Sequence, residues 1–243
     1  RPSLVRARCQ RVVALALRQQ GSMRAALEAA ERTVALATHT GSELEIALAH
    51  HCLGNTLMDR DEDALALPHL LQAASSLSSL QGGGWSQEAQ QARAEVHRRL
   101  AQLDEARRLL TAVAQWGERR QIPMEVVRAQ ATLCLVELDA GDYQAACQAG
   151  TAAMHAARQQ TAVPARQAQL TAARALASAR LGRWGPAMDL VDRLRNQGVV
   201  PCDHDSARLL QQLAAEARRH GQKDAAAWLG QRAEAAAERL RAT

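Results

Sequence analysis

Apolar residues recur along this chain at i, i+3, i+4 and i+7, the spacing of one face of an α-helix, as in Val127, Ala131, Cys134, Leu135 and Leu138. The pattern predicts helices in pairs, a helix A and a helix B on either side of a short corner. Helix A is expected over 5–20, 43–60, 86–100, 124–140, 164–181 and 205–220, and helix B over 63–80, 103–119, 142–160, 186–196 and 223–241, with a first helix B ending near 38. The best-formed corner is Leu138-Asp139-Ala140-Gly141-Asp142-Tyr143-Gln144-Ala145-Ala146. Gly141 can take the left-handed conformation that ends a helix, Asp142 can cap the next one, and Tyr143 and Ala146 then share a face.

Weaker copies of that corner start at 21, 61, 101, 182 and 221, so the six are separated by 40, 40, 40, 41 and 39 residues. Breakers fall between the pairs: Thr40-Gly41-Ser42, the stretch from Gln81 to Gly84, and Pro123, Pro164 and Pro201. Proline is tolerated in the first turn of a helix and discourages helix before it. Pro68 costs little if its helix starts near Asp63 and kinks it otherwise. These features describe a chain of about six helical hairpins, near 5–40, 43–81, 85–120, 124–161, 164–198 and 205–241, in a single superhelical domain spanning 1–243.

Composition agrees with an all-α chain. Aromatics are 2% of residues and phenylalanine is absent, so the core must be built from Ala, Leu and Val. Alanine is the best helix former, whereas β-sandwiches lean on aromatic and β-branched residues. The net charge of +5 is interspersed rather than gathered into a stripe with stacking aromatics, which disfavours direct nucleic-acid binding. The five cysteines form no C-x-x-C pair and mostly lie in apolar helical stretches, as expected of free thiols in a reducing cytoplasm. No run of about 18 apolar residues predicts a membrane span. The chain begins at Arg1 without a methionine and reads as a piece of a larger protein.

The turn Gly-Asp-Tyr-x-x-Ala resembles the middle of a tetratricopeptide repeat (TPR). Leu53-Gly54 matches that family's small pair in helix A, and Ala66, Leu70 and Ala73 its helix B anchors. Ala146 and Ala153 match in the fourth repeat, with Gly150 where a larger residue is usual, and Ala187, Val191 and Leu194 match in the fifth. The family's usual period is about 34 residues. The longer unit here is similar to the repeats of large LuxR-type regulators of the maltose-activator kind. A HEAT-like array, whose period also reaches about 40, is the alternative. The resemblance implies a right-handed α-solenoid whose concave side is lined by helix A.

On that basis the inward positions are Arg8, Arg11 and Arg18, then His51, Asn55, Met58 and Asp59, then Glu88, Gln91, Glu95, Arg98 and Arg99. Farther on they are Arg128 and Asp139, then Gln169 and Arg180, then Arg208, Gln211, Arg218 and Arg219. Ten arginines face four acids in this set. The groove is therefore expected to be electropositive and to hold an acidic peptide or other anionic ligand in arginine forks. The competing reading is that these arginines suit helix C-termini and pair with glutamates one turn away.

Other chemistry is weak. Gly82-Gly83-Gly84 lacks the following Gly-Lys-Ser/Thr of a phosphate cradle. Cys202-Asp203-His204-Asp205 has metal-capable side chains but no second cluster, and Asp205 can instead cap the next helix. His50-His51 sends its two imidazoles to different faces. Trp184 takes the aromatic slot of its corner and should pack on the next repeat, and Trp85 is the tryptophan expected to be exposed. The last helix B offers Ala226, Leu229, Ala233 and Leu240 with no following repeat to cover them, so it is either its own cap or a contact for a missing domain or a second chain, the last giving self-association through a terminal repeat. The expectation is a non-enzymatic, cofactor-free module of a bacterial regulatory or signalling protein that binds a protein or peptide. The alternative is a small-molecule inducer-sensing domain of a LuxR-type transcription regulator.

Overall fold

A computed structural model describes residues 4–158, 164–198 and 203–241. The described residues form twelve α-helices and no strand: α1 Leu4–Gln19, α2 Met23–Thr40, α3 Glu43–Asp59, α4 Asp63–Ser79, α5 Gly84–Arg99, α6 Leu103–Arg120, α7 Pro123–Ala140, α8 Tyr143–Ala157, α9 Pro164–Arg180, α10 Trp184–Gln197, α11 His204–Arg219 and α12 Lys223–Arg241. These are the expected pairs, with ends moved by a residue or two. Pro201 and Cys202 lie outside the described residues.

The turns are more regular than the sequence suggested. Left-handed residues recur every twenty positions from Gly21 through Gly41, Asp61, Gln81, Ala101 and Gln121 to Gly141, and again at Gly182 and Gly221. The corners within a hairpin and the joints between hairpins are thus variants of one turn. At most of them the amide just past the left-handed residue donates to the carbonyl five residues back: Ser22 to Leu17, Glu62 to Leu57, Gly82 to Leu77, Gln102 to His97, Ile122 to Gly117 and Asp142 to Glu137, at 2.8–3.0 Å. This is the Schellman bond that satisfies the orphan carbonyls of a helix end. The missing glycines at 61, 81, 101 and 121 hid the period, because those positions pay the Cβ strain of a positive φ.

Asp142 caps α8 as expected, accepting from the Ala145 amide at 2.9 Å. The cap of α11 is Asp203 rather than Asp205: the helix begins at His204, and Asp203 accepts from the Ser206 amide at 2.8 Å. Asp205 sits inside the first turn. α4 does begin at Asp63, so Pro68 falls past the free first turn and removes one interior bond.

Two compact units divide within α6, residues up to 113 and residues from 114. In the first, α1, α3 and α5 contact one another in sequence, with α2 against α3 and α4 against α5. Ala14, Ala29, Ala30, Cys52, Leu53, Leu57, Ala66, Leu70 and Val96 form a common core. Gly54 admits the Leu70 side chain, whose Cγ would lie 2.6 Å from any Cβ at 54. In the second, α9 touches α7, α8, α10 and α11. It is surrounded, and Ala168, Ala172, Ala173, Ala175, Leu176, Ala177 and Ala179 on it are all buried. Small side chains at so many positions let its neighbours approach closely.

The last helix is not left uncovered. Ala226, Leu229 and Ala233 are buried in the core of the second unit, where α12 pairs with α11. Exposed apolar side chains cluster on the first helix, where Val5, Cys9, Val12 and Val13 of α1 face solvent, and others such as Leu65 and Trp85 are scattered. The equivalents one repeat later, Ala49, Cys52 and Leu53, are buried.

Candidate functional site

In both units the A helices lie side by side, so their polar faces form continuous surfaces. In the first unit His51 of α3 is partly buried and bonded to Asn55, with Asn55 Nδ2 donating to His51 Nε2 at 3.0 Å. Accepting at Nε2 requires the neutral ring. Burial first, then the charges of Arg18 and Arg11 against the opposing pull of Glu88, bring the His51 pKa down to about 4. Its neighbour His50 turns the other way, to His69 on α4, with the two Nδ1 atoms 2.9 Å apart.

The arginines of this face are held by acids, several of them outside the expected set. Arg8 reaches Glu45 of α3 at 2.7 Å, and Arg11 approaches the same carboxylate at 3.8 Å. Arg18 meets Asp59 at 2.6 Å. Arg98 is buried against Glu95 at 2.6 Å and is closed off from a partner. Arg99 bridges Glu95 at 3.1 Å, the Met58 carbonyl at 2.8 Å, and Asp61 and Asp63 at 3.5 and 3.6 Å. Gln91 and Glu88 are partly buried on α5.

The second unit repeats the arrangement and adds a cleft. Arg128 pairs with Glu125 at 2.6 Å, one turn back. Arg180 of α9 pairs with Glu216 of α11 at 2.8 Å and lies over the Tyr143 ring at 5.9 Å. Arg208 of α11 spans Asp139 of α7 at 2.9 Å and Asp205 at 3.0 Å. Gln169 donates to Asp203 at 3.0 Å. Gln211 and Arg218 are exposed, and Arg219 joins Glu216 at 2.9 Å. Between α7, α9 and α11 these groups rim a cleft of about 220 Å³. Leu135, Leu138, Leu176, Leu209 and Tyr143 line it, with Asp139, Arg180, Arg208 and Gln212 at the polar edge.

These arginines enter two kinds of ion pair. Arg98 and Arg219, in the last turns of α5 and α11, pair one turn away as helix-end charges would, and Arg128 does the same near the start of α7. Arg8, Arg18, Arg180 and Arg208 instead tie one A helix to another. Glu45, Glu125 and Glu216, all buried, were absent from the sequence reading of this face. A search for opposite charges about one repeat apart would have found Arg8 with Glu45 and Arg180 with Glu216.

The remaining expectations fall out simply. Trp184 packs on the next hairpin through His220, ring centroids 4.1 Å apart. Trp85 is 47% exposed. Among the described residues no group of three or more metal-capable side chains gathers, and no helix is long and apolar enough to cross a membrane. Cys202 lies outside them.

Neither a family model nor a curated protein sequence matches the chain. Solved structures do. A Rap protein complexed with competence and sporulation factor superposes with a TM-score of 0.73 at 17% identity, over 97% of this chain and 64% of its own length. A putative kinesin light chain from Podospora anserina, built of nearly identical TPR-like repeats, gives 0.65 at 19% identity, over 82% of this chain and 96% of its own. A tetratricopeptide repeat protein from Parabacteroides merdae gives 0.66 at 17% identity, over 98% of this chain and 84% of its own. At these identities the likeness is one of fold, and the chain spans less than two thirds of the Rap protein.

Proposed function

We propose that this chain, which has the fold of the tetratricopeptide-repeat proteins, is a non-catalytic module of a regulatory or signalling protein that binds a protein or peptide on its A-helix face. The observation that carries the reading is the cleft between α7, α9 and α11, whose surface is mainly the polar groups of Asp139, Arg180, Arg208 and Gln212 above largely buried leucines. At about 220 Å³ it is smaller than the roughly 300–1,000 Å³ of small-molecule sites. It suits one polar or charged side chain of an extended peptide, with the rim charges meeting it and the peptide backbone. The Rap neighbour in complex with competence and sporulation factor supports a fold that holds a partner.

The arginines shape the specificity. Arg180 and Arg208 already have carboxylates, so an acidic partner must exchange with Glu216 or Asp139 rather than meet bare cations. Such exchange contributes selectivity more than affinity. The non-catalytic part of the reading is supported by the groups with strongly shifted titration. His51 is held neutral, and the buried Cys134 thiol is pushed up to about 12, away from the reactive thiolate.

A second reading is an inducer-sensing domain of a LuxR-type regulator, favoured by the convergence of Asp139, Arg180, Arg208 and Gln212 on one cleft. Any contact between copies is placed on α1, where Val5 and Val12 are exposed.

The test is an array of extended peptides, acidic and neutral, with a polar or charged anchor. Leu138→Arg and Arg208→Glu should each weaken the best peptide by at least about tenfold, the scale of one interface contact. Peptide binding that both variants leave unchanged would overturn the assignment.

A further inference from the structure

The second hairpin departs from the others at one pair of positions. Eight residues after its corner, on α4, stands His69, where the other hairpins have Ala29, Leu109, Ala149, Leu190 and Leu229, all of them buried. Eleven residues before the corner, on α3, stands His50, where the others have Gln10, Gln90, Gln130, Thr171 and Leu210. The fold needs neither imidazole, because five hairpins form with no histidine at either position.

The packing of α4 on α3 brings the two rings together, with Nδ1 of His50 2.9 Å from Nδ1 of His69. The ring centroids are 5.1 Å apart and the ring planes differ by 19°. That centroid separation is about the most that so short a nitrogen contact allows. The rings therefore lie end to end, with their Nδ1 atoms facing each other. A neutral imidazole carries one N–H and one lone pair. A proton on one Nδ1 makes the contact a hydrogen bond, and the other tautomer turns two lone pairs toward one point. Both rings are partly exposed, so solvent reaches them. Burial, and for His50 also the neighbouring His69, lowers their affinity for protons below the ordinary imidazole value. At neutral pH protons therefore do not compete for these nitrogens.

We propose that His50 and His69 chelate a divalent transition-metal ion, of the copper(II) or nickel(II) kind, across the α3–α4 hairpin. Imidazole nitrogen is a ligand that these ions favour. An ion about 2.0–2.1 Å from each nitrogen sits to one side of the line between them, and each ring meets it by a turn of the side chain. At the present separation of 2.9 Å the two nitrogens subtend about 90° at such an ion, the cis angle of tetragonal coordination. Tetrahedral zinc would need them about 0.4–0.5 Å farther apart. No third metal-capable side chain joins the pair among the described residues, so water fills the remaining positions. The site belongs to the first unit and does not rest on the function proposed for the cleft of the second.

The test is calorimetric titration of the whole chain, untagged and stripped with chelator, with nickel chloride at about pH 7.5, where histidine is neutral. Saturable one-to-one binding at micromolar nickel is expected, and magnesium, which takes oxygen ligands, should not compete. Nickel should also raise the melting temperature, because an ion bound only by the folded hairpin stabilises it. His50→Gln and His69→Leu install the residues that the third hairpin has at these positions, Gln90 and Leu109, and so keep the packing. Each should weaken nickel by at least about tenfold and remove the rise in melting temperature. His39→Gln, at an exposed histidine of α2, should leave the affinity unchanged. No binding up to about 1 mM nickel, or an affinity that both His50→Gln and His69→Leu leave intact, overturns the proposal.

Discussion

His51 shows how much one side chain's behaviour depends on its neighbours. Its pKa of about 4 lies below the ordinary value of 6.5, because burial and two arginines disfavour the imidazolium. Above pH 6.5 the ring is neutral whether the chain is folded or not, so its contribution to stability is complete there. Between 6.5 and about 4 the unfolded chain takes up a proton that the folded one refuses, and stability falls by up to ~1.4 kcal/mol per pH unit for this group. His50 and His69, also lowered, act in the same direction. Urea unfolding of the chain should show this acid slope, and His51→Gln, which can still accept from Asn55, should flatten it. An identical slope in the variant would show that His51 is not so placed. Reading residues one at a time recovered the caps and aromatics whose partners are near in sequence, such as Asp142 with Ala145. It missed Glu45 and Glu216, because their partners Arg8 and Arg180 depend on the register between helices, and it missed Glu125 although Arg128 lies one turn away on the same helix.

At the scale of the element, one turn recurs through the described residues. A helix of 14–19 residues followed by a left-handed residue and one that precedes the next helix makes a unit of about twenty, and two units make the repeat. Glycine marked the turns at 21, 41, 141, 182 and 221, so those were legible. Ala101 at φ 58° and Gln121 at φ 55° carry no such mark, yet the bonds from Gln102 to His97 and from Ile122 to Gly117 hold them in the same conformation. The Cβ at such a position costs about 1–2 kcal/mol, partly offset by the greater freedom glycine has in the unfolded chain. Ala101→Gly should therefore stabilise the chain by about 0.5–1 kcal/mol in urea melts. A loss of stability would mean that the turn is not left-handed at 101. The third corner looked weak in sequence because its strain is carried by the hydrogen bonds of the turn.

At the scale of the whole molecule, burial is uneven. In the second unit α9 has neighbours on every side, and its alanines are almost wholly inaccessible. α12 packs chiefly on α11, with Arg195 of α10 over its Trp228 ring at 5.3 Å. Local opening exposes the least-covered elements first. Hydrogen exchange of the second unit should accordingly find the slowest amides in α9 and faster ones in α12. Exchange in α9 as fast as in α12 would contradict this packing. The all-α class, the pairing of helices and the near-forty-residue period were legible in the sequence alone. They follow from local rules of periodicity, capping and turn chemistry, which need only residues within a few turns of each other. Where the charges go was decided only by tertiary structure. Arg174 and Gly150 lie far apart along the chain, and only the crossing of α8 and α9 brings the arginine stem over the glycine. Arg180 and Glu216 meet because two A helices, 36 residues apart along the chain, are set side by side at one register. Packing determines that register, and no local pattern along the chain encodes it.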